Sequence, residues 1–147
     1  DFSRPSLVAL RVALKMTMQA VIHVLHVAEA PFEGRMKRTD LGEVDRHRYN
    51  LLSRAHPEMK KIIEDYAGGN ARVSSIIEPG CAPAVILKHV QSLHIDLVVT
   101  GKRGETELDG ALFGSVTKHV IYETSCDVLV VSQADEPVGQ RWNGTHS

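Results

Sequence analysis

The sequence predicts an α/β domain, built as a three-layer α/β/α sandwich around a parallel sheet. Four segments carry apolar residues at helical spacing, four short runs are rich in β-branched residues, and the two kinds of segment alternate along the chain. Strands separated by helices pair in parallel through right-handed crossovers. At 147 residues the chain is long enough for one such domain and too short for two domains of ordinary size.

The chain opens with a predicted helix followed by a strand. Ser3 is a favoured helix cap, and Pro5 is tolerated in a first turn. Apolar residues follow at spacings of three and four, at Leu7, Leu10 and Leu14. The next run, residues 20–27, is short and rich in β-branched residues. Apolar residues occur at both its odd and its even positions, which predicts a strand covered on both faces.

A long connection and a second helix come next. Residues 29–45 contain Pro31, Gly34 and Gly42 without a sustained period, which predicts a mobile connection. The helix that follows has one apolar side: Leu52, Ala55, Met59, Ile62, Ile63 and Tyr66. Pro57 interrupts this helix, so we expect a kink or a fresh start there. The pair Gly68-Gly69 can supply a left-handed end.

The remaining elements continue the alternation. Strands are predicted within 71–80, 95–101 and 126–132, and helices within 81–94 and 114–124. The polar residues 133–147 are expected to form a loose tail.

Composition excludes several classes of partner. The formal net charge of −1 offers no broad basic surface for nucleic acid. No apolar run reaches the roughly 18 to 20 residues that span a bilayer, and no signal peptide opens the chain, so we expect no membrane insertion and a cytoplasmic location. Cys81 and Cys126 lack the spacing of a zinc site and are expected to be ordinary packed thiols.

Two glycine sites flank a nine-residue insert after the third visible strand. Gly101 and Gly104 come directly after that strand, and Gly114 with Ser115 opens the last helix. Singly, these glycines are explained by a turn and a helix cap. Their joint spacing after a buried strand favours a phosphate site, because backbone N–H groups at a helix start attract anions.

Other nucleotide and catalytic motifs are missing from the sequence. No lysine completes a Gly-x4-Gly-Lys-Ser/Thr loop, and no Gly-x-Gly-x-x-Gly follows a strand, so a fast ATPase is not indicated. The eight histidines form no helical pair of metal ligands, and no serine lies in a nucleophile elbow. The sequence therefore nominates no catalytic residue.

The pattern Gly-x2-Gly-x9-Gly-Ser resembles the nucleotide-binding signature of the universal stress protein family. The opening "DFS", the strand "VIHVLHV" and the run "DLVVTGKRG…FGSVTKHVIYETSCDVLVV" resemble that family in order and spacing. The resemblance extends to about Ser132, which predicts one nucleotide-binding domain over residues 1–132.

The resemblance implies a five-stranded parallel sheet of order 3-2-1-4-5. In that family a strand of the form "ILVPVD" precedes the "FS", and Asp1 resembles the aspartate that closes it. We therefore expect the central first strand to lie before residue 1 and to be absent from this chain. Ligands of such sheets bind where the winding direction reverses, between the first and fourth strands.

The resemblance also implies a set of residues that bind ATP, alone or together with Mg²⁺ or Mn²⁺. Asp1 and the backbone of Val27 would lie at the adenine and ribose end, although Asp1 is equally explained as a local helix-start aspartate. The ribose and phosphates would lie against the glycines and the start of the last helix: Gly101, Gly104, Gly114, Ser115, Val116 and Thr117. The Ser115 and Thr117 hydroxyls would donate to phosphates or assist a metal ion. Thr100 stands where other members often carry a bulky apolar residue, which predicts looser adenine packing.

Two functions remain open. The first is an ATP-binding stress-response regulator whose nucleotide alters its shape or its choice of an unknown protein partner, with at most slow hydrolysis. The second is a dimeric interaction module of the same fold that no longer binds nucleotide, which the acidic insert residues Glu105, Glu107 and Asp109 would permit. On both hypotheses the apolar last strand is expected to pair with a second copy in a homodimer.

Overall fold

The computed structural model describes residues 2–16, 19–29, 41–102 and 112–132, without the side chains of residues 41–44. The predictions for Asp1, Gly104, the acidic insert residues and the tail 133–147 lie outside these ranges.

Four helices and four strands alternate in the described chain. The helices are α1 (Arg4–Met16), α2 (Leu41–Ala67), α3 (Ala82–Ser92) and α4 (Ser115–Glu123). The strands are β1 (Ile22–Ala28), β2 (Val73–Pro79), β3 (Leu97–Gly101) and β4 (Asp127–Val131). The order α1-β1-α2-β2-α3-β3-α4-β4 confirms the predicted α/β class.

The described strands form two parallel pairs. β1 pairs with β2, from Ile22 opposite Val73 to Ala28 opposite Pro79. β3 pairs with β4, from Leu97 opposite Asp127 to Gly101 opposite Val131. Each pair encloses one crossover helix, as a parallel connection requires. Within the described residues each pair is a separate two-stranded sheet.

Helix α1 packs against strands of both pairs. It contacts β1, β3 and β4. Its buried residues Val8 and Ala9 form a core cluster with Val131 of β4, and three partly buried side chains pack around them: Val12, Val99 and Leu129. This cluster therefore joins α1 to the β3–β4 pair.

Helices α2 and α3 cover opposite faces of the β1–β2 pair. Residues of α2 line a shallow cavity together with Ser75 and Ile77 of β2. On α3, His89 instead hydrogen-bonds the side chain of Glu78. Because successive residues of a strand point to opposite faces, Ile77 and Glu78 define two covered sides.

Helix α2 differs from its prediction at its start and at Pro57. It begins at Leu41, inside the segment 29–45 that was predicted to be a connection, because a helix tolerates a glycine such as Gly42 in its first turn. It also runs through Pro57 without a fresh start. At its end, Gly68 and Gly69 adopt the predicted left-handed conformation, with φ of 56° and 77°.

The strands are less covered than their composition suggests. All residues of β1 except Ala28 are only partly buried, and the same holds for β3 except Gly101. β1 is thus covered on both faces, as predicted, but its side chains are only partly buried. Each of these strands has a hydrogen-bonded neighbour on one side only within the described residues.

Candidate functional site

Lys102 and Gly114, which flank residues 103–113, lie together at the carboxyl end of β3. The backbone N–H of Lys102 donates to the Val131 carbonyl at 2.8 Å, which extends the β3–β4 pairing by one residue. The N–H of Gly114 then donates to the Lys102 carbonyl at 3.0 Å. The main chain that follows Gly101 is therefore joined to the residue that precedes α4.

Helix α4 starts at this junction. Gly114 is its N-cap residue, with φ −62° and ψ 158°, and no side chain caps the first turn. Ser115 is exposed, Val116 is half-buried and Thr117 is buried. The first N–H groups of a helix have no partner within the helix, and they carry the positive end of its dipole. This end of α4 can therefore receive an anion.

Thr117 makes a side-chain contact that the sequence did not predict. Its side chain is only 4% exposed. Its hydroxyl donates to the carbonyl of Gly101 at 3.1 Å, and the Thr100 hydroxyl makes a longer contact of 3.4 Å with the same oxygen. The Thr117 hydroxyl thus ties α4 to the end of β3.

Gly101 is required by the packing of α1. A Cβ atom at this position would lie 2.8 Å from the Cβ of Pro5, 2.9 Å from its carbonyl carbon and 3.0 Å from its carbonyl oxygen. Two of these atoms belong to backbone and cannot rotate away. The sequence predicted a glycine that admits a ligand, whereas the missing side chain of Gly101 faces the first turn of α1.

Val27 lies one residue from the end of β1, beside an aromatic contact. It is half-buried and stands opposite Glu78 in the strand register. Its neighbour His26 stacks on Phe2, with ring centroids 4.1 Å apart and an interplanar angle of 9°. Sequence reasoning missed this pair, because the two rings lie 24 positions apart and no local spacing connects them.

His26 is held in its neutral form. Burial of the ring lowers the pKa of His26 from 6.5 to about 4. Its Nδ1 atom is buried and has no hydrogen-bond partner among the described residues. The sequence-based expectation of a core or solvated histidine is refined to a neutral, partly buried ring.

A small charged cluster lies at the end of β2. Glu78 accepts hydrogen bonds from Nζ of Lys88 at 2.7 Å and from Nε2 of His89 at 2.8 Å. The hydrogen bond from Lys88, and then that from His89, lower the pKa of Glu78 below its ordinary value. Nearby, the Glu29 carboxylate accepts the N–H of Ala82 at 3.2 Å. These contacts anchor α3 to the ends of β1 and β2.

The described ranges contain no cluster of three or more His, Cys, Asp or Glu side chains that could hold a metal ion. Cys81 and Cys126 are free thiols. No described helix combines the length and the apolar character needed to cross a bilayer.

Comparison with known proteins identifies relatives of this arrangement. The model of the Universal stress protein family matches residues 1–132. A curated relative, Universal stress protein MJ0577 of Methanocaldococcus jannaschii, is 31% identical over 83 residues, which are 56% of this chain and 51% of that protein. The matched segment thus spans about half the length of this relative.

Solved structures share the fold over most of the chain. The structure of hypothetical protein MJ0577 has a TM-score of 0.74 and 26% identity, and the match covers 92% of this chain and 93% of that one. Universal stress protein UspA from Lactobacillus plantarum has a TM-score of 0.76 at 23% identity, covering 89% and 92%. A universal stress protein in complex with cAMP has a TM-score of 0.53 at 21% identity, covering 88% and 90%. With the family model matched over residues 1–132, this chain belongs to the universal stress protein family.

Proposed function

We propose that this protein binds ATP at the carboxyl end of β3 and acts as a stress-response regulator. The observation that carries the proposal is the hydrogen bond from Gly114 to Lys102, which brings the main chain after Gly101 beside the start of α4, where no side chain caps the first turn. Backbone donors and a helix dipole at one point form a suitable place for a polyphosphate. A structural relative in complex with cAMP supports an adenine nucleotide as the ligand class.

In the proposed complex each part of the nucleotide has its own partners. The phosphates contact the first turn of α4 at Ser115 and Val116, with Gly104 on the opposite side of the insert. The adenine and ribose lie toward Asp1 and the backbone of Val27. The hydrogen bond from the Thr117 hydroxyl to the Gly101 carbonyl holds the start of α4 against the end of β3, next to the proposed site. A Mg²⁺ or Mn²⁺ ion would offset the negative charges of phosphate and insert.

The proposed fold is a three-layer sandwich in which a fifth strand lies between β1 and β3, giving the family order 3-2-1-4-5. Three observations support this arrangement. β1 and β3 each have one described strand neighbour. Helix α1 contacts both strands. Helices α2 and α3 cover opposite faces of the β1–β2 pair. The proposed nucleotide crevice is then the point where the winding direction reverses.

The proposed mode of action is regulation with at most slow hydrolysis. A nucleotide can shift a conformational equilibrium only by its difference in affinity for the two states. The segment between Lys102 and Gly114 is the natural element to respond, since these two residues on either side of it are joined by a backbone hydrogen bond. Its nucleotide-dependent arrangement would alter the surface offered to a protein partner.

An interaction module without nucleotide is the second candidate. It is favoured because two residues of the signature have contacts within the protein that need no ligand. Gly101 accommodates Pro5, and the Thr117 hydroxyl donates to the Gly101 carbonyl. Both contacts would be kept in a protein that had lost its ligand.

Nucleotide content separates the two candidates. Purified protein is denatured, and released adenine nucleotide is sought by chromatography and absorbance. ATP is then titrated calorimetrically with and without Mg²⁺ or Mn²⁺. Released nucleotide or saturable binding is expected. The absence of both, from protein that includes any residues preceding Asp1, would favour the interaction module.

Substitutions at Gly114 test the location of the site. Gly114→Val is expected to abolish ATP binding, because a branched side chain occupies the space for phosphate at the helix start. Gly114→Ser is expected to weaken ATP binding without loss of stability, because its hydroxyl oxygen can accept the N–H groups that phosphate would use. Cys81→Ser is the matched control, since Cys81 is the other described N-cap that lacks a side-chain hydrogen bond. Unchanged affinity in both Gly114 variants would exclude this site.

A further inference from the structure

The short segment before α1 contacts both strand pairs. Phe2 stacks on His26 of β1. Pro5, three residues later, lies against Gly101 of β3. Successive Cα atoms are 3.8 Å apart, so Phe2 and Pro5 keep these two contact points within about 11 Å plus the reach of the two side chains. Residues 2–5 therefore form a bridge between β1 and β3.

This bridge is well ordered by its own contacts. Ser3 is 3% exposed, and its hydroxyl donates to the Ser6 hydroxyl at 3.2 Å. The Ser3 carbonyl accepts the N–H of Leu7 at 3.1 Å, which begins the hydrogen bonding of α1. Two hydrogen bonds thus hold the helix start around Pro5. At the other end the contact with β1 is a stack between two rings.

The bridge ends at both halves of the proposed ligand site. His26 precedes Val27, which is assigned to the adenine end, while Gly101 begins the glycine signature at the phosphate end. We propose that the Phe2–His26 stack is a positioning element that sets the adenine end of the crevice relative to its phosphate end. This inference rests on the proposed function and deepens it, because it concerns the adenosine part of the ligand.

The Phe2–His26 stack has the geometry and charge state that a positioning element needs. The rings are nearly parallel at 4.1 Å, which is stacking distance. Because the pKa of His26 lies at about 4, its imidazole is neutral at pH 7 and the contact does not depend on charge. An aromatic ring at position 26 should therefore be sufficient for this role, while a methyl group should not.

The experiment compares ATP with inorganic tripolyphosphate, which has the phosphates but no adenosine. Both affinities are measured by calorimetry for the wild-type chain and for His26→Ala, Phe2→Ala and His26→Phe. Loss of the stack is expected to raise the Kd for ATP about tenfold, the result if the binding-competent arrangement falls to about a tenth of the molecules. The Kd for tripolyphosphate should change less than about twofold in the same variants. His26→Phe should restore ATP binding.

The outcomes separate this inference from the function on which it rests. Wild-type affinity for ATP in both alanine variants would overturn the positioning role and leave the nucleotide site in place. An equal loss of ATP and tripolyphosphate binding would also overturn it, since that is the result of general loosening. Should the wild-type chain bind neither ligand, the proposed function fails and the inference fails with it. Phe2→Ala keeps the test possible if His26→Ala does not fold.

Discussion

At the scale of single residues, Gly101 shows how a glycine in a binding signature can be required for two separate reasons. Its position after β3 and before the insert is the one expected for a nucleotide site. The contact with Pro5 supplies a second reason, because any larger residue would collide with the backbone of α1. A loss of ligand binding on substitution of Gly101 would therefore not identify a ligand contact by itself.

Gly101→Ala should destabilise the fold. The added methyl group would lie 2.8 to 3.0 Å from three atoms of Pro5. Overpacking of this kind costs about 1 to 3 kcal/mol, measurable as a lower urea midpoint. Gly114→Ala is the comparison, because Gly114 has φ −62°, which alanine can adopt, so its cost should reflect only the loss of a favourable N-cap residue. An equal loss at both positions would argue against the Pro5 contact as the cause.

His26 should make stability depend on pH. In the unfolded chain the imidazole has its ordinary pKa of 6.5, whereas in the folded chain the pKa is about 4. Between these values the unfolded state binds more protons, so stability is greatest above pH 6.5 and falls as the pH drops toward 4. Since the ring is only partly buried, roughly 1 to 2 kcal/mol is expected after allowance for solvent screening.

Denaturant midpoints between pH 5 and 7 for the wild-type chain and for His26→Phe test this dependence. The Phe variant should lose this pH-dependent component. The range excludes the acid limb, where Glu78 also contributes, because its lowered pKa makes stability fall as the pH drops below the ordinary carboxyl value. Identical slopes for both proteins would contradict the assignment to His26.

At the scale of elements, α2 is a long helix held by a narrow set of contacts. Only Ala55 and Met59 are fully buried among the side chains described in α2. They lie four residues apart on the face that meets β1 and β2. Pro57 lies between them on an exposed position. Tertiary packing on both sides of the proline therefore offsets the local helix-breaking tendency that the sequence displays.

Pro57→Ala should raise stability. Alanine restores the backbone N–H that can bond the carbonyl of Ser53 and removes the ring from the preceding turn. An interior proline costs about 3 kcal/mol relative to alanine, of which a part should be recovered as a higher melting temperature. Glu58→Ala, at the next exposed position, serves as the control and should have little effect. A lower melting temperature for the Pro57 variant would mean that the proline itself makes a stabilising contact.

At the scale of the whole molecule, β4 is a candidate for contact between copies. It pairs with β3 along one edge and has no second strand neighbour in the described part of the chain. Its sequence, Asp-Val-Leu-Val-Val, is apolar after the first residue. An apolar edge strand of this kind pairs readily with another strand unless it is covered. We therefore propose a homodimer formed by two antiparallel β4 strands.

Cross-linking tests this dimer and its register. If the twofold axis passes near Leu129, the middle of β4, then Cys126 of one copy faces position 132 of the other. Directly opposed residues of antiparallel strands have Cα atoms about 4.5 to 5.5 Å apart, within the range of a disulfide. Ser132→Cys should therefore give a covalent dimer under oxidation, while Cys126→Ser in that background should abolish it. A monomeric mass by light scattering at micromolar concentration would contradict the proposal.

The element pattern was predictable because it is local. Periodicity located all four helices and all four described strands to within a few residues, and glycine chemistry predicted the left-handed end of α2 at Gly68 and Gly69. The start of α2 was placed too late along the chain, because Gly42 lies inside the helix. The half-burial of β1 and β3 depends on which strands flank them, and no single segment encodes that.

The sequence by itself determined the α/β class and the positions of the glycine signature, because helical and strand periods and backbone freedom are properties of neighbouring residues. The tertiary structure decided what those residues touch. It placed Pro5 against Gly101, directed the Thr117 hydroxyl to the Gly101 carbonyl, and stacked Phe2 on His26. Each of these contacts joins residues at least 16 positions apart, and such pairings are set by the packing of α1, α4 and the strands rather than by any local pattern.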